Sequence, residues 1–242
     1  MENYNKNADI DQIMRTRFPD EAGFSSYLSS YMSKVYGWMF FGLALTAVVG
    51  YYVASTPALI SALMANRFLF FGLLIGELFL VGFLSVRIKK MSFSTALLTF
   101  LGYAALNGVT LSILLLVYTP ASLATVFGIT AVTFGIMSAV GYFTHQDLSK
   151  FGSILFMGLI GVIVASVVNI FLQNSVMYWI ISYLGVAIFV GLIAYDTQKI
   201  KAYALLESES DRKKGAIMGA LALYLDFINL FIFLLRLFGN RN

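Results

Sequence analysis

Seven stretches of nearly uninterrupted apolar residues alternate with short polar segments, at about 35–54, 68–86, 95–117, 122–143, 151–172, 177–195 and 217–238. Each approaches the roughly 20 residues that a helix needs to cross the hydrocarbon core of a bilayer. Their ends carry turn formers: Pro57 after the first, Tyr118-Thr119-Pro120 after the third and Gln173-Asn174-Ser175 after the fifth. The pattern predicts seven membrane helices. The last two run into the charged hairpin between them, giving helices over about 177–206 and 214–238. Residues 1–34 mix charged side chains with Asn and Ser and hold no signal-peptide apolar core. They read as a polar, mobile, cytoplasmic leader ahead of a single transmembrane domain over 35–242.

Composition narrows the chemistry. The 242 residues are 60% hydrophobic and 12% charged, against roughly 25% charge in a soluble domain, so the class is an all-α integral membrane protein. With no cysteine, disulfides, thiolate metal sites, iron–sulfur clusters and thiol nucleophiles are excluded. A single histidine, His145, cannot build a bis-histidine haem site, and no cofactor is expected. The net charge of +4 does not point to nucleic acid, because the basic residues sit between apolar runs rather than in one patch. Membrane lipid is the expected surrounding.

Positive-inside counting sets the orientation. The leader (Lys6, Arg15, Arg17, Lys34), second loop (Arg87, Lys89, Lys90), fourth loop (Lys150) and sixth loop (Lys199, Lys201, Arg212, Lys213, Lys214) carry thirteen Lys and Arg. The other side carries three, Arg67, Arg236 and Arg241. The N-terminus is therefore expected in the cytoplasm, and the C-terminus outside unless the last helix re-enters.

Ionisable residues within the apolar windows are Glu77, Asp226 and Arg236, with Arg87 and Asp196 at window edges. A charge at mid-bilayer costs roughly 2.5–3.5 kcal/mol on insertion scales, so each needs a partner, water or a task. With helix ends near Leu206 and Lys214, Asp196 and Asp226 both fall about 15–18 Å from the hairpin at 1.5 Å per residue. Two carboxylates facing each other in a poorly hydrated site cannot easily both ionise. Such a pair is a proton sensor or a cation site, including a transient Ca²⁺ site. The other reading has each aspartate neutralised separately and serving only helix packing. Arg87 either reaches inward to Asp196 or snorkels to headgroups. Glu77 and Arg236 are expected to form an ion pair. Asn107, Asn169 and Asn229 read as interhelical hydrogen-bond formers, with Asn229 set apart because it lies one turn from Asp226. Small-residue rows at Gly72/Gly76, Gly215/Gly219 and Gly128/Ala131/Gly135 read as close helix packing.

Enzymatic chemistry finds no support. His145 lies in a loop away from any intramembrane serine, residues 217–238 contain no lysine for a retinal Schiff base, and no Gly-x-x-x-x-Gly-Lys phosphate loop occurs.

The segments Gly191-Leu-Ile-Ala-Tyr195-Asp196-Thr197-Gln198-Lys199-Ile200 and Leu223-Tyr224-Leu225-Asp226-Phe227-Ile228-Asn229-Leu230-Phe231 resemble the Bax inhibitor-1 (TMBIM) family. Tyr31-Met-Ser-Lys34-Val-Tyr36-Gly-Trp38-Met is similar to its bacterial YccA-like branch. The resemblance runs from about residue 30 to the C-terminus and implies a seven-helix bundle whose last helix is central. It also implies that Asp196 and Asp226 are a paired pH sensor and cation gate, with Arg87 as a latch onto Asp196. The activity it implies is a pH-sensitive calcium leak in the bacterial inner membrane. The alternative is a non-conducting regulator or substrate of a membrane-anchored ATP-dependent protease.

Overall fold

The computed structural model describes residues 21–242. They form seven long helices: α1 Glu21–Ala54, α2 Arg67–Arg87, α3 Phe93–Leu111, α4 Pro120–Phe143, α5 Ser149–Leu172, α6 Ser175–Tyr203 and α7 Glu209–Phe238. All seven are long and apolar enough to cross a membrane. The fold is the all-α seven-helix bundle that the hydropathy pattern predicts. A short helix, Pro57–Ala65, joins α1 to α2, and single turns at Ile88–Lys90 and Leu114–Val117 follow α2 and α3.

The boundaries move where polar residues belong to helices. α1 starts at Glu21 rather than near 35, because Leu28, Tyr31 and Met32 put a buried stripe on a stretch whose other faces are polar. Residues 1–20 of the expected leader lie outside the described residues. The last hairpin spans 204–208 instead of 207–213, since α6 stops at Tyr203 and α7 starts at Glu209. Several starts are fixed by side-chain caps. Asn66, Ser92, Thr119 and Asn174 each accept a backbone N–H of the first turn, and Pro120 follows Thr119 where a missing N–H costs nothing.

α7 is the central helix. In its apolar window 67% of residues are buried, against 11% in those of α2 and α5. It packs on α6, α1, α4 and α3. α2 leans mainly on α3, and α5 on α6, so these two are peripheral and share no substantial interface. The tail beyond α7 bonds to the loop between α3 and α4: Thr119 N–H donates to Asn240 O, and Asn242 N–H to Val117 O. That loop lies at the end opposite the start of α1, so α7 runs the whole length of the bundle.

Close packing uses other small residues than the rows singled out above. A Cβ at Gly72, Gly76, Gly128 or Gly135 would meet nothing within 4 Å, whereas Gly215 and Gly219 do face Tyr203 and Ile200 of α6. The tightest approach is Gly141 of α4, where a Cβ would strike the backbone of Ala194 in α6. Without hydrophobic force between helices in lipid, such backbone proximity gives van der Waals contact.

Candidate functional site

Asp196 on α6 and Asp226 on α7 are 7% and 4% exposed, and their carboxyl groups lie close enough to act on each other electrostatically. The helices are antiparallel, with Ile200 beside Gly219 and Gly185 beside Phe233. In that register Asp226 lies about one turn, roughly 5 Å, farther from the hairpin than Asp196. The equal depth expected from the sequence is thus off by a turn, which the side chains span. Asp226 Oδ2 is buried and has no hydrogen-bond partner. An orphaned carboxylate oxygen is unusual, since buried polar atoms are nearly always satisfied.

The pair opens onto a cavity of about 900 Å³ between the peripheral helices α2 and α5. Its walls are largely apolar, from Phe70, Leu74 and Leu78 of α2 and Leu159, Ile163 and Val167 of α5. The floor is the line of α6 and α7 that carries Lys199, Asp196, Asp226, Asn229 and Arg236. From Met218 to Arg236 along α7 the cavity extends about 27 Å at 1.5 Å per residue, most of a bilayer core.

The remaining candidates divide. Glu77 lines the cavity and is 8% exposed, but it forms no ion pair with Arg236. Its carboxylate accepts from Thr110 Oγ1 at 2.7 Å and Asn107 Nδ2 at 3.4 Å, fastening α2 to α3. Arg236 sits instead over the rings of Phe233 and Tyr178, at 5.1 and 5.8 Å. These rings compensate the guanidinium without a carboxylate. Asn229 Nδ2 donates to Leu225 O of its own helix at 2.8 Å, and Asn169 Oδ1 accepts the backbone N–H of Asn174, so of the three asparagines only Asn107 bridges helices.

Arg87 is exposed, and no ion pair joins it to Asp196. The ion pairs among the described residues are Lys213–Glu209 and Lys214–Asp211. The cation acting on both aspartates is Lys199, one turn after Asp196, with its ammonium 5.6 Å from the Tyr195 ring. A second residue missed in the sequence is Lys214. It is 7% exposed, bonded to Asp211 Oδ1 at 2.9 Å, and donates to Lys89 O at 3.2 Å. This holds the turn after α2 against the start of α7, whereas the link expected of Arg87 runs from α2 to Asp196 on α6. Lys199 was legible by its i+3 spacing from Asp196, whereas the partner of Lys214 is a backbone carbonyl that no sequence pattern marks.

The model of the family described as "Inhibitor of apoptosis-promoting Bax1" matches residues 28–242. The chain belongs to the Bax inhibitor-1 family. Over 217 residues it is 50% identical to the inner membrane protein YbhL of Escherichia coli K12, covering 88% of this chain and 93% of that one. An uncharacterized protein of Borreliella burgdorferi is 43% identical (88% and 93% covered), and RP147 of Rickettsia prowazekii is 42% identical (90% and 92%).

Proposed function

We propose that this Bax inhibitor-1 family protein is a pH-sensitive cation leak pathway, carrying calcium across a bacterial inner membrane with the N-terminus cytoplasmic. Asp196 and Asp226 form its gate. The observation that supports this reading most directly is the buried, unpartnered carboxylate oxygen of Asp226, on a residue that lines, together with Asp196, a cavity running along the membrane span. Two adjacent carboxylates away from water need either a shared proton or a cation between them. Proton and calcium therefore compete for one place, which makes the pathway respond to pH.

Calcium is cargo here rather than a resident ligand. A stable site takes six to eight oxygens, and no cluster of three or more acidic or imidazole side chains occurs among the described residues. An ion passing the pair keeps most of its water. Lys199 at one end and Arg236 at the other oppose a cation and hold the resting leak low. An inner-membrane location is in keeping with the name of the Escherichia coli relative.

The test is calcium flux into liposomes containing the purified protein, scanned from about pH 5 to pH 8, with Asp196→Asn and Asp226→Asn in parallel. Wild type gives a pH-dependent flux, and either variant abolishes it or makes it independent of pH. Folded protein that passes no more calcium than empty liposomes at any pH overturns the reading and favours a non-conducting regulator or substrate of a membrane-anchored ATP-dependent protease.

A further inference from the structure

A second cavity, of about 700 Å³, lies at the basic end of the bundle between α1, the start of α3 and the start of α7. Its two halves differ in chemistry. One carries Lys34, Arg212 and Lys213 against a single carboxylate, Glu209. Lys213 is paired to Glu209 at 2.7 Å; Lys34 and Arg212 form no ion pair among the described residues and share the more distant field of that one carboxylate, so the cleft carries three cations against one anion. The Arg212 guanidinium is held in place by donating to the carbonyls of Leu206 and Glu207 at 2.8 and 2.7 Å. Tyr31 Oη donates to the carbonyl of Arg212 at 3.0 Å and pins the same residue to α1.

The other half is aromatic. Trp38, one turn beyond Lys34 on α1, packs edge-on to Phe93 with ring centres 6.2 Å apart, and its ring lies 6.1 Å from that of Phe41. Phe41 is 61% exposed on the outer surface of the bundle. Charge, then tryptophan, then exposed phenylalanine is the order met on going from headgroup to hydrocarbon in a bilayer. Gly37 lines the cleft between Lys34 and Trp38, and a Cβ there would meet nothing within 4 Å.

We propose that this cleft is a binding site for an anionic phospholipid. Lys34 and Arg212 take the phosphate, and the Trp38, Phe41 and Phe93 rings cover the glycerol backbone and the first part of an acyl chain. Basic pockets between membrane helices recognise such headgroups by charge, and the apolar wall adds contact that a free phosphate lacks. The site is separate from the carboxylate pair and does not depend on whether the protein conducts.

Native mass spectrometry of the purified full chain, exchanged into mixed micelles holding equal amounts of phosphatidylglycerol and phosphatidylcholine with the same acyl chains, tests it. Wild type retains phosphatidylglycerol preferentially. Lys34→Gln lowers that preference about fivefold, the effect of one basic residue near a membrane surface. Gly37→Leu fills the cleft and lowers retention of phosphatidylglycerol while keeping the fold, because leucine favours a helix over glycine and its Cβ meets nothing within 4 Å. Lys150→Gln, at a basic residue in the first turn of α5 and outside the cleft, leaves retention unchanged. Equal retention of the two lipids by wild type overturns the proposal, as does a Gly37→Leu protein with undiminished preference. A loss with Lys150→Gln equal to that with Lys34→Gln overturns it too, since the attraction is then diffuse.

Discussion

Two residues apart on α7, Tyr224 and Asp226 face opposite halves of the molecule. Tyr224 is fully buried between Phe100 and Tyr103 of α3, each ring 5.8 Å away and edge-on. Its hydroxyl donates to Thr46 Oγ1 of α1 at 2.6 Å, and that oxygen in turn reaches the carbonyls of Ala104 and Gly42. On this face the hydroxyls of Tyr224 and Thr46 are satisfied and three helices interlock. On the other, Asp226 has an orphaned oxygen and the flanking helices α2 and α5 stand apart. Satisfied buried polar groups in a membrane bundle fix packing, while an unsatisfied one beside an open cavity carries a cost that packing does not explain.

The largest effect expected from this contrast is on stability. Tyr224→Ala removes a packed ring and orphans part of the Thr46 network, costing about 3–5 kcal/mol, read as thermal unfolding of the purified protein. Asp226→Asn and Asp226→Leu should stay within about 1 kcal/mol of wild type, because each removes one of two buried acids that repel when ionised and leaves no opposite charge unpaired. Under the proposed leak, their effect falls on the pH dependence of the flux. If Asp226→Leu unfolds the protein as severely as Tyr224→Ala, the open face is structural and the contrast is wrong.

A smaller effect concerns what holds α2 over the cavity. Lys214→Met deletes the bond to Lys89 O and the pair with Asp211, a loss of about 1–2 kcal/mol. By freeing one end of the cavity wall it should raise the leak proposed above. Arg87→Ala, at an exposed side chain with no ion pair to Asp196, leaves the leak as in wild type. The opposite ranking, with Arg87→Ala the leakier variant, would restore the arginine latch and make Lys214 incidental.

What the sequence disclosed follows from the kind of physics involved. Seven spans were legible because a backbone in lipid can satisfy itself only within helices or closed barrels, and runs of about 20 apolar residues leave little choice. Asp196 and Asp226 stood out because charge is rare in such runs. The pairing of Glu77 with Thr110 and Asn107 rather than Arg236 was not legible: hydroxyls and amides are common in membrane helices, and complementary charge is a poor guide when aromatic rings can compensate a cation. The start of α1 at Glu21 was hidden because hydropathy averages over all faces of a helix, whereas burial of Leu28, Tyr31 and Met32 concerns one stripe. The register of α6 on α7 depended on where the hairpin turns, and a few residues of error there shifted Asp226 by a turn.

The smallest effect separates the wall of the open face from its gate. Asp147 precedes α5, and its Oδ1 accepts the backbone N–H of Ser149 at 2.9 Å. The Ser149 hydroxyl and then this N–H hold the Asp147 carboxyl below the usual carboxylate range. A depressed folded-state value means a stabilising contribution that is complete above the unfolded value of about 3.9 and is lost as pH falls through the folded one. Amides 149–152 at the start of α5 should therefore exchange faster in wild type as pH drops below about 4, after correction for intrinsic exchange rates. Asp147→Asn should remove that acid step. The same step should persist in Asp226→Asn, since Asp147 lies in the exposed loop before α5 and outside the α6–α7 pair. If Asp226→Asn abolishes it, the wall and the carboxylate pair respond to protons as one unit, and the division between a loosely held periphery and a proton-sensitive centre has to be redrawn.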